Sequence, residues 1–495
     1  MPFAVADMLF GNMPSSDLSD TVVRRIRAAI GLGLLKDGQK LPKEAELAKR
    51  FGISSSTLRE ALGVLRTEDL IETRAGKYGG SFVKHPKEIA SLARDELTRM
   101  SFTELRDLGD WRQMLVTQSA GFAARRASAA DVARLAGYAD QVAAAHTAEQ
   151  ARRAHGRFHL VLAAAGQSMR LNKAEFVMHE ELDWLFGLVL DTDEKRQLNA
   201  DELRAIVEEV RAQNAERASA SAARHSINLV EELARLRLDI IAARQSASPA
   251  ESGAKDAQSL ATEIGHFTEG LVDQLRTLAT TAAPILGEGT DERKIRARIS
   301  LSIMVLFEDV PSYIQGLGIN ADVGVVPEHP YWINWWRPSG QELVEDTSHV
   351  MDPNDENFYD YEAREYMAHP REHLEEWAAG PYVDYGGVND YAITISAPIV
   401  YHDRFLGVAA VDVLVADLEH RFSSWLAAIQ ETCVLLNAEN RVVISNSAGY
   451  NVGDVVKTAP SDRVVPLNCL GWSVMTNHSR TNAAAPLSNP VPEIA

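Results

Sequence analysis

The chain has 495 residues, a formal net charge of −19 and a hydrophobic fraction of 46%, too much sequence for one core and enough for about three domains. No apolar run reaches the roughly 18–20 residues of a membrane helix; the best candidate, FLGVAAVDVLVADL, is interrupted by Asp412 and Asp417. The start of the chain shows no basic stretch followed by an apolar one, and Cys433 and Cys469 fall in no metal or redox spacing, so a cytoplasmic protein with reduced thiols is expected.

Charge is uneven along the chain. Residues 1–86 hold thirteen Lys and Arg against ten Asp and Glu, which leaves −22 for the remainder. A mildly basic head on an acidic body implies that the head alone meets a polyanion. Within it, LSDTVVRRIRAAIGLGLL carries Val22, Val23, Ile26 and Ile30 at helical spacing. A short helix, EAELAKRF, stops at Gly52, and Ser54 caps a third helix with the stripe Leu58, Ala61, Leu62, Leu65. Two short helices joined by a tight turn form a helix-turn-helix, whose second helix enters the major groove N-terminus first. Ser55, Ser56, Thr57 and Arg59 are the expected exposed leading residues, and LIETRAGKYGGSFV reads as a two-stranded wing.

The stretch LPKEAELAKRFGISSSTLREALGVLRTEDLIETRAGKYGGSFV resembles the winged helix of the GntR family of bacterial regulators. The resemblance implies operator binding, led by Ser55, Ser56, Thr57 and Arg59, with Lys43, Lys77 and Tyr78 expected as compensating phosphate contacts. Two half-sites on one DNA face call for a homodimer. Ala45 and Ser55 stand where the family usually has arginines, whereas Arg59 is kept. Each bidentate Arg–guanine pair contributes about 1–3 kcal/mol of discrimination, so an altered operator is expected.

From 88 to 245 the chain is rich in Ala, Arg, Glu and Leu and helically periodic. It resembles the all-helical FCD effector domain that follows the winged helix in FadR-type GntR regulators. That family commonly holds a metal with one Asp and three His. Here His155 stands at the Asp position, His159 and His225 at two of the His positions, and Leu203 at the remaining one. His155 and His159, four apart, share a helix face. Three histidines suffice for a Zn or Ni site with an open position; the other reading is a helix bundle that has lost its metal.

A polar linker, ARQSASPAESGAKDAQS, precedes a long amphipathic helix with Leu260, Ile264, Phe267, Leu271, Leu275 and Leu278, which serves a dimer seam or backs a sheet. YAITISAPIV, FLGVAAVDV, CVLLNA, RVVISN and GWSVMT then read as successive strands. The expected fold is multidomain: a winged helix (15–86), an all-α bundle (88–245), an α+β domain with an antiparallel sheet (257–477), and a disordered tail (478–495).

The order of long helix, FYDYEAREYMA, GPYVDY, ITISAPIV and LGVAAVDV resembles a double Cache sensor, with a reduced second lobe from about 430. One amino-acid-binding Cache subgroup carries a spaced motif that maps onto Tyr359, Arg364, Tyr366, Tyr382, Asp384 and Asp412, with Met367 departing from it. The resemblance implies Arg364 as carboxylate clamp. In chemical terms a zwitterion needs one two-pronged cation, and its ammonium needs anions and ring faces. The alternative is that Arg364 pairs with Asp360, Glu362 or Glu365 at the surface. The resulting expectation is a ligand-responsive regulator, not an enzyme, that senses an amino acid or amine in its Cache-like half. The alternative is a GntR regulator that senses a metal-bound small carboxylate in the helical domain, with the Cache-like half serving oligomerisation.

Overall fold

The computed structural model describes residues 15–31, 35–76, 79–84, 89–246, 256–307, 311, 313–339, 342–355, 358–384, 390–447 and 449–477. The expected tail, 478–495, lies outside them. They form two compact units, one within residues 12–240 and the other within 241–495, with 101–103 joined to the second. Among the described residues no helix is long and apolar enough to cross a membrane.

The first unit begins with α1 (Ser15–Gly31), α2 (Glu44–Phe51) and α3 (Ser55–Thr67), followed by the antiparallel pair β1 (Ile71–Arg74) and β2 (Gly80–Val83). Gly52, at φ +71°, takes the left-handed turn that ends α2, and the Ser54 hydroxyl accepts from the Thr57 N–H at 3.1 Å to start α3. The helical stripes read from the sequence close on one another: Val22, Ile26, Ile30, Leu58, Leu62 and Leu65 share one core.

Seven helices continue this unit: α4 (Ile89–Arg99), α5 (Phe102–Arg126), α6 (Ala129–Ala143), α7 (Ala148–Ala165), α8 (Met169–Val189), α9 (Asp193–Arg211) and α10 (Ala215–Ser246). Ser128, Thr147, Ser168 and Thr192 cap α6 to α9, each accepting a backbone N–H that the first turn would otherwise strand. A second core, with Phe158, Leu162, Leu203 and Ile206, fills the bundle.

The second unit opens with α11 (Ala257–Glu288) and α12 (Glu292–Leu306). A six-stranded antiparallel sheet follows, built from β3 (Ile314–Ala321), β4 (Trp332–Ser339), β5 (Glu342–Asp346), β6 (Trp377–Val383), β7 (Tyr391–Tyr401) and β8 (Arg404–Leu414) in the order β5-β4-β3-β8-β7-β6. A short helix, α13 (Glu365–His373), precedes β6. The stripe of α11 is buried with Ile393, Ile395, Val411 and Val413, so this helix backs the sheet. Because side chains alternate along a strand, Ile333, Trp335, Val408 and Ala410 go to the opposite face, with Tyr361, Tyr366 and Met367.

Helix α14 (Val415–Ala428) leads to a smaller antiparallel sheet of β9 (Thr432–Leu436), β10 (Val442–Ser445), β11 (Arg463–Pro466) and β12 (Ser473–Asn477), ordered β10-β9-β12-β11. Asn446 fastens the junction. Its amide donates to the carbonyls of Leu426, Ile429 and Glu431, and its oxygen accepts the Cys433 N–H at 2.7 Å. Asn446→Ala should cost the second unit about 2 kcal/mol or more, since each buried group left unmade costs roughly 1–3 kcal/mol. Denaturant unfolding followed by tryptophan fluorescence checks this, and an unchanged midpoint would remove Asn446 from that role.

Candidate functional site

Three sets of side chains answer to the sequence reading. In the head, Lys43, Ser55, Ser56 and Arg59 are exposed on α2 and α3. Thr57 corrects the expectation of an exposed contact: it is 8% exposed, with its hydroxyl 2.8 Å from that of Ser54, inside the cap that starts the helix. Arg59 donates from Nε to Glu44 at 3.2 Å, so any base contact trades against this surface pair. Lys77 and Tyr78 lie outside the described residues.

In the bundle, α7 and α10 bring His155, His159 and His225 together, all buried. Nε2 of His155 sits 3.1 Å from Nε2 of His159 and 3.2 Å from Nε2 of His225. Leu203, at the remaining position of the resembled pattern, is apolar core. Burial, with the neighbouring His225 and Arg112 charges, pushes the His155 and His159 pKa values well below the usual imidazole range. Neutral rings therefore aim nitrogens at a common point. The Glu202 carboxylate lies 2.7 Å from Nδ1 of His225, a pairing that puts the ring proton on Nδ1 and leaves Nε2 as a lone pair. Tetrahedral binding at about 2.0–2.1 Å requires nitrogens roughly 3.3 Å apart, so this set fits a divalent ion.

Beside the histidines lies a buried ion pair, Arg112 on α5 with Glu175 on α8. Against the penalty of burial, the Arg112 charge and a hydrogen bond with His179 hold Glu175 at about 2. Helix α8 runs on from this pair to the head: Glu180 meets Arg25 at 3.3 Å, and the Arg27 guanidinium stacks 4.8 Å from the Trp184 ring.

In the second unit, the sheet face turned away from α11 carries a cavity of ≈ 360 Å³, measured out to its open mouth. Five of the six residues proposed from the sequence line it: Tyr359, Tyr366, Tyr382, Asp384 and Asp412. Arg364 does not. It is the half-buried N-cap residue of α13, and its positive charge is felt at the Tyr359 hydroxyl. Met367, where the resembled motif departs, is a fully buried residue of α13.

The cavity floor is a hydrogen-bonded chain. Thr394 donates to Asp412 Oδ1 at 2.7 Å, which leaves the Tyr382 hydroxyl, 2.6 Å from Thr394, as donor to it. Asp412 and Thr394 are paired across β7 and β8. Burial pushes the Asp412 carboxyl up to about 7, and the nearby Asp384 charge adds to the shift. The Tyr359 and Tyr366 hydroxyls lie 3.2 Å apart, and Asn320 donates to Tyr366 at 3.2 Å. Burial raises both phenols, Tyr359 to about 12, so they stay neutral. The Asn320 oxygen and Nδ1 of His349 are buried and have no hydrogen-bond partner among the described residues.

Sequence reasoning missed Asn320, Trp335, Arg337, His349 and Thr394. The alternation Ile333, Trp335, Arg337 against Trp332, Asn334, Trp336 was the available signal for β4.

Comparison with known proteins places the two parts of the first unit. Residues 18–83 match bacterial regulatory proteins of the gntR family, and residues 107–228 match the FCD domain. RmpR of Mycobacterium gastri, an HTH-type transcriptional regulator, is 35% identical over 181 residues, 36% of this chain and 66% of that protein. The Glc operon transcriptional activator of Escherichia coli (strain K12) is 36% identical over 121 residues, 23% of this chain and 44% of the activator. The transcriptional regulator LutR of Bacillus subtilis is 28% identical over 145 residues, 28% of this chain and 62% of LutR. The chain thus spans less than two thirds of each relative's length. Among solved structures, E. coli McbR/YncC covers 44% of this chain and 96% of its own at TM-score 0.28 and 16% identity. The ligand-binding domain of Pseudomonas fluorescens chemoreceptor CtaA, in complex with L-isoleucine, covers 44% and 87% at TM-score 0.32 and 12% identity.

Asp412 gives the second unit a pH signature. Its folded pKa lies above its ordinary value, so between about pH 4 and 7 the folded state holds a proton that the unfolded state releases. This contribution to stability falls as pH rises through that window and levels off above 7. Asp412→Asn should flatten the fall, by a few kcal/mol at most. Melting points at pH 5 and pH 8 check this, and an identical pH slope in the variant counts against it.

Proposed function

Given a GntR-type winged helix followed by an FCD domain, we propose that the chain is a ligand-responsive transcription regulator. It binds operator DNA as a homodimer and senses an amino acid or amine in the cavity of its second unit. Two half-sites on one face of the duplex require two heads, which is the argument for the dimer. The observation that carries the sensing role is the cavity floor: Asp412 with Asp384, under the rings of Tyr359 and Tyr382. Acids and π-faces around one point suit an ammonium group. A ligand cation placed there keeps Asp412 ionised and repays the cost of burying its charge. The head, bundle and sensor are proposed as 15–86, 88–245 and 257–477, the last as a Cache-like domain.

His155, His159 and His225 would hold a divalent metal, zinc or nickel, with His155 at the position of the usual Asp and Leu203 at that of one His. Such an ion supplies a Lewis-acid position open to a carboxylate oxygen. A second reading places sensing there. It is favoured by α8, which contacts both the Arg112–Glu175 pair and, through Glu180 and Trp184, the head.

Fluorescence anisotropy on the chain's own upstream DNA separates the two readings. Asp412→Ala should leave DNA affinity intact and abolish its response to amino acids and amines. His159→Ala should remove metal, measured by mass spectrometry on purified protein, and leave that response in place. The reverse pattern transfers sensing to the bundle. Arg59→Ala should weaken specific binding by about 1–3 kcal/mol while non-specific binding persists; equal loss on all sequences would make Arg59 a phosphate contact only.

A further inference from the structure

The cavity floor contains a row of residues that starts at Asp412 of the ammonium site and extends beyond it. Leu317 pairs with Trp336 across β3 and β4, which sets Arg337 beside Gly316; Gly316 in turn pairs with Asp412 across β3 and β8. Arg337, Gly316 and Asp412 thus lie in line across three adjacent strands. Arg337 and Asp412 both line the cavity. A cation and an acid stand two strand spacings apart, about 10 Å between backbones, with a residue lacking a side chain between them.

That gap is occupied only at its edge. A Cβ on Gly316 would meet Nε1 of the Trp335 indole at 2.5 Å, so the glycine is what lets the indole form the cavity wall. Arg337 is held from one side: its Nε donates to Asp346 Oδ2 at 2.6 Å. Against the upward push of burial, hydrogen bonds from Ser348 and Arg337 hold Asp346 at about 2, so the pair stays ionised. No hydrogen bond within the described residues reaches the two terminal nitrogens of Arg337. A guanidinium fixed at Nε presents those two nitrogens as a fork, the geometry that matches a carboxylate.

We infer that Arg337, positioned by Asp346, is the anion-binding group of this cavity, and that the ligand is a zwitterionic amino acid lying along the Arg337–Gly316–Asp412 row. Its carboxylate meets Arg337, its ammonium meets Asp412, and its α-carbon passes over Gly316. Arg364 then acts from outside the cavity, through its charge on Tyr359. This rests on the cavity being a ligand site, and it adds which class of ligand fits and which residue selects it.

The test is calorimetric titration of the full chain with the twenty common L-amino acids and with the primary amines that correspond to them by loss of CO2. The wild type should bind an amino acid at least about tenfold more tightly than its matched amine, the effect of one charge-assisted contact. Arg337→Gln should erase that difference by weakening the amino acid alone, Asp346→Asn should reduce it, and Arg364→Gln should leave it in place. Asp412→Asn should weaken amino acid and amine together. Gly316→Ala should weaken both by displacing the indole, with the melting point confirming that each variant folds. A wild type that binds none of these compounds overturns the ligand-site reading itself. Binding that survives in Arg337→Gln with the preference for amino acid unchanged, or that is lost in Arg364→Gln instead, overturns this inference and leaves the site standing.

Discussion

The two-residue alternation of the six-stranded sheet is the constraint from which the second unit follows. Each strand sends every other side chain to α11 and α12 and the rest to the opposite face. The helix-backed face is largely apolar, with Trp332 and Trp336 among the aliphatic residues and Asn334 bonded to Ser300 of α12. The other face carries Asn320, Thr394 and Asp412, which come from three different strands and line one cavity because they share that face. Moving β8 by one residue would bury Asp412 against α11 and turn Val411 and Val413 to the cavity face. The apolar core fixes the register, and the register builds the site.

The first unit depends on a different economy. Its bundle buries Arg112, Glu175, His155, His159 and His225 almost completely. An ion pair stripped of water recovers its desolvation cost only when geometry and further hydrogen bonds are good. Here Nη2 of Arg112, Oε2 of Glu175 and Nδ1 of both His155 and His159 lack hydrogen-bond partners among the described residues. A bundle selected for stability alone would replace such a cluster with Leu and Ala, as it does at Leu203. The cluster is retained at the point where α8 turns from the histidines toward Arg25 and Arg27 of the head.

The helices, the wing, β7 and β8 were legible because their apolar periods are clean and their stops are marked by Gly52, Ser54 or polar turns. The joining of His155 and His159 was legible from a spacing of four; that of His225 followed from the resemblance, since no local pattern connects it to residues seventy positions away. The β4 strand was not read. Both faces of the strand are covered, so Trp332 to Trp336 are all buried and the alternation is weak, although Trp and Ile themselves favour strands. Arg337 was lost with it. Thr57 was read as exposed because sequence pattern marks a helix start without saying which hydroxyl the cap consumes. Arg364 was assigned to the cavity by its place in a motif, yet its side-chain direction is set by the capping geometry of α13, which motif spacing does not encode.

Signalling adds a thermodynamic condition that bears on where sensing resides. A ligand shifts a regulator between states only by the difference in its affinity for them. A preformed, fully satisfied cavity gives little such difference. The cavity of the second unit is preformed in backbone and unsatisfied in charge: burial holds the Asp412 carboxyl well above its ordinary range, and among the described residues the Asn320 oxygen and Nδ1 of His349 have no hydrogen-bond partner. The wall that covers it, Tyr359 and Tyr366 around the start of α13, is joined to the sheet by the single Asn320 contact to Tyr366, the backbone hold of Tyr361 and the Ser396 bond to the Tyr366 carbonyl. Under the proposed sensing role, the free energy available for control is the part of ligand binding that differs between the regulator's two states. Contacts to this wall, unlike those to the floor, are the ones such a difference would draw on.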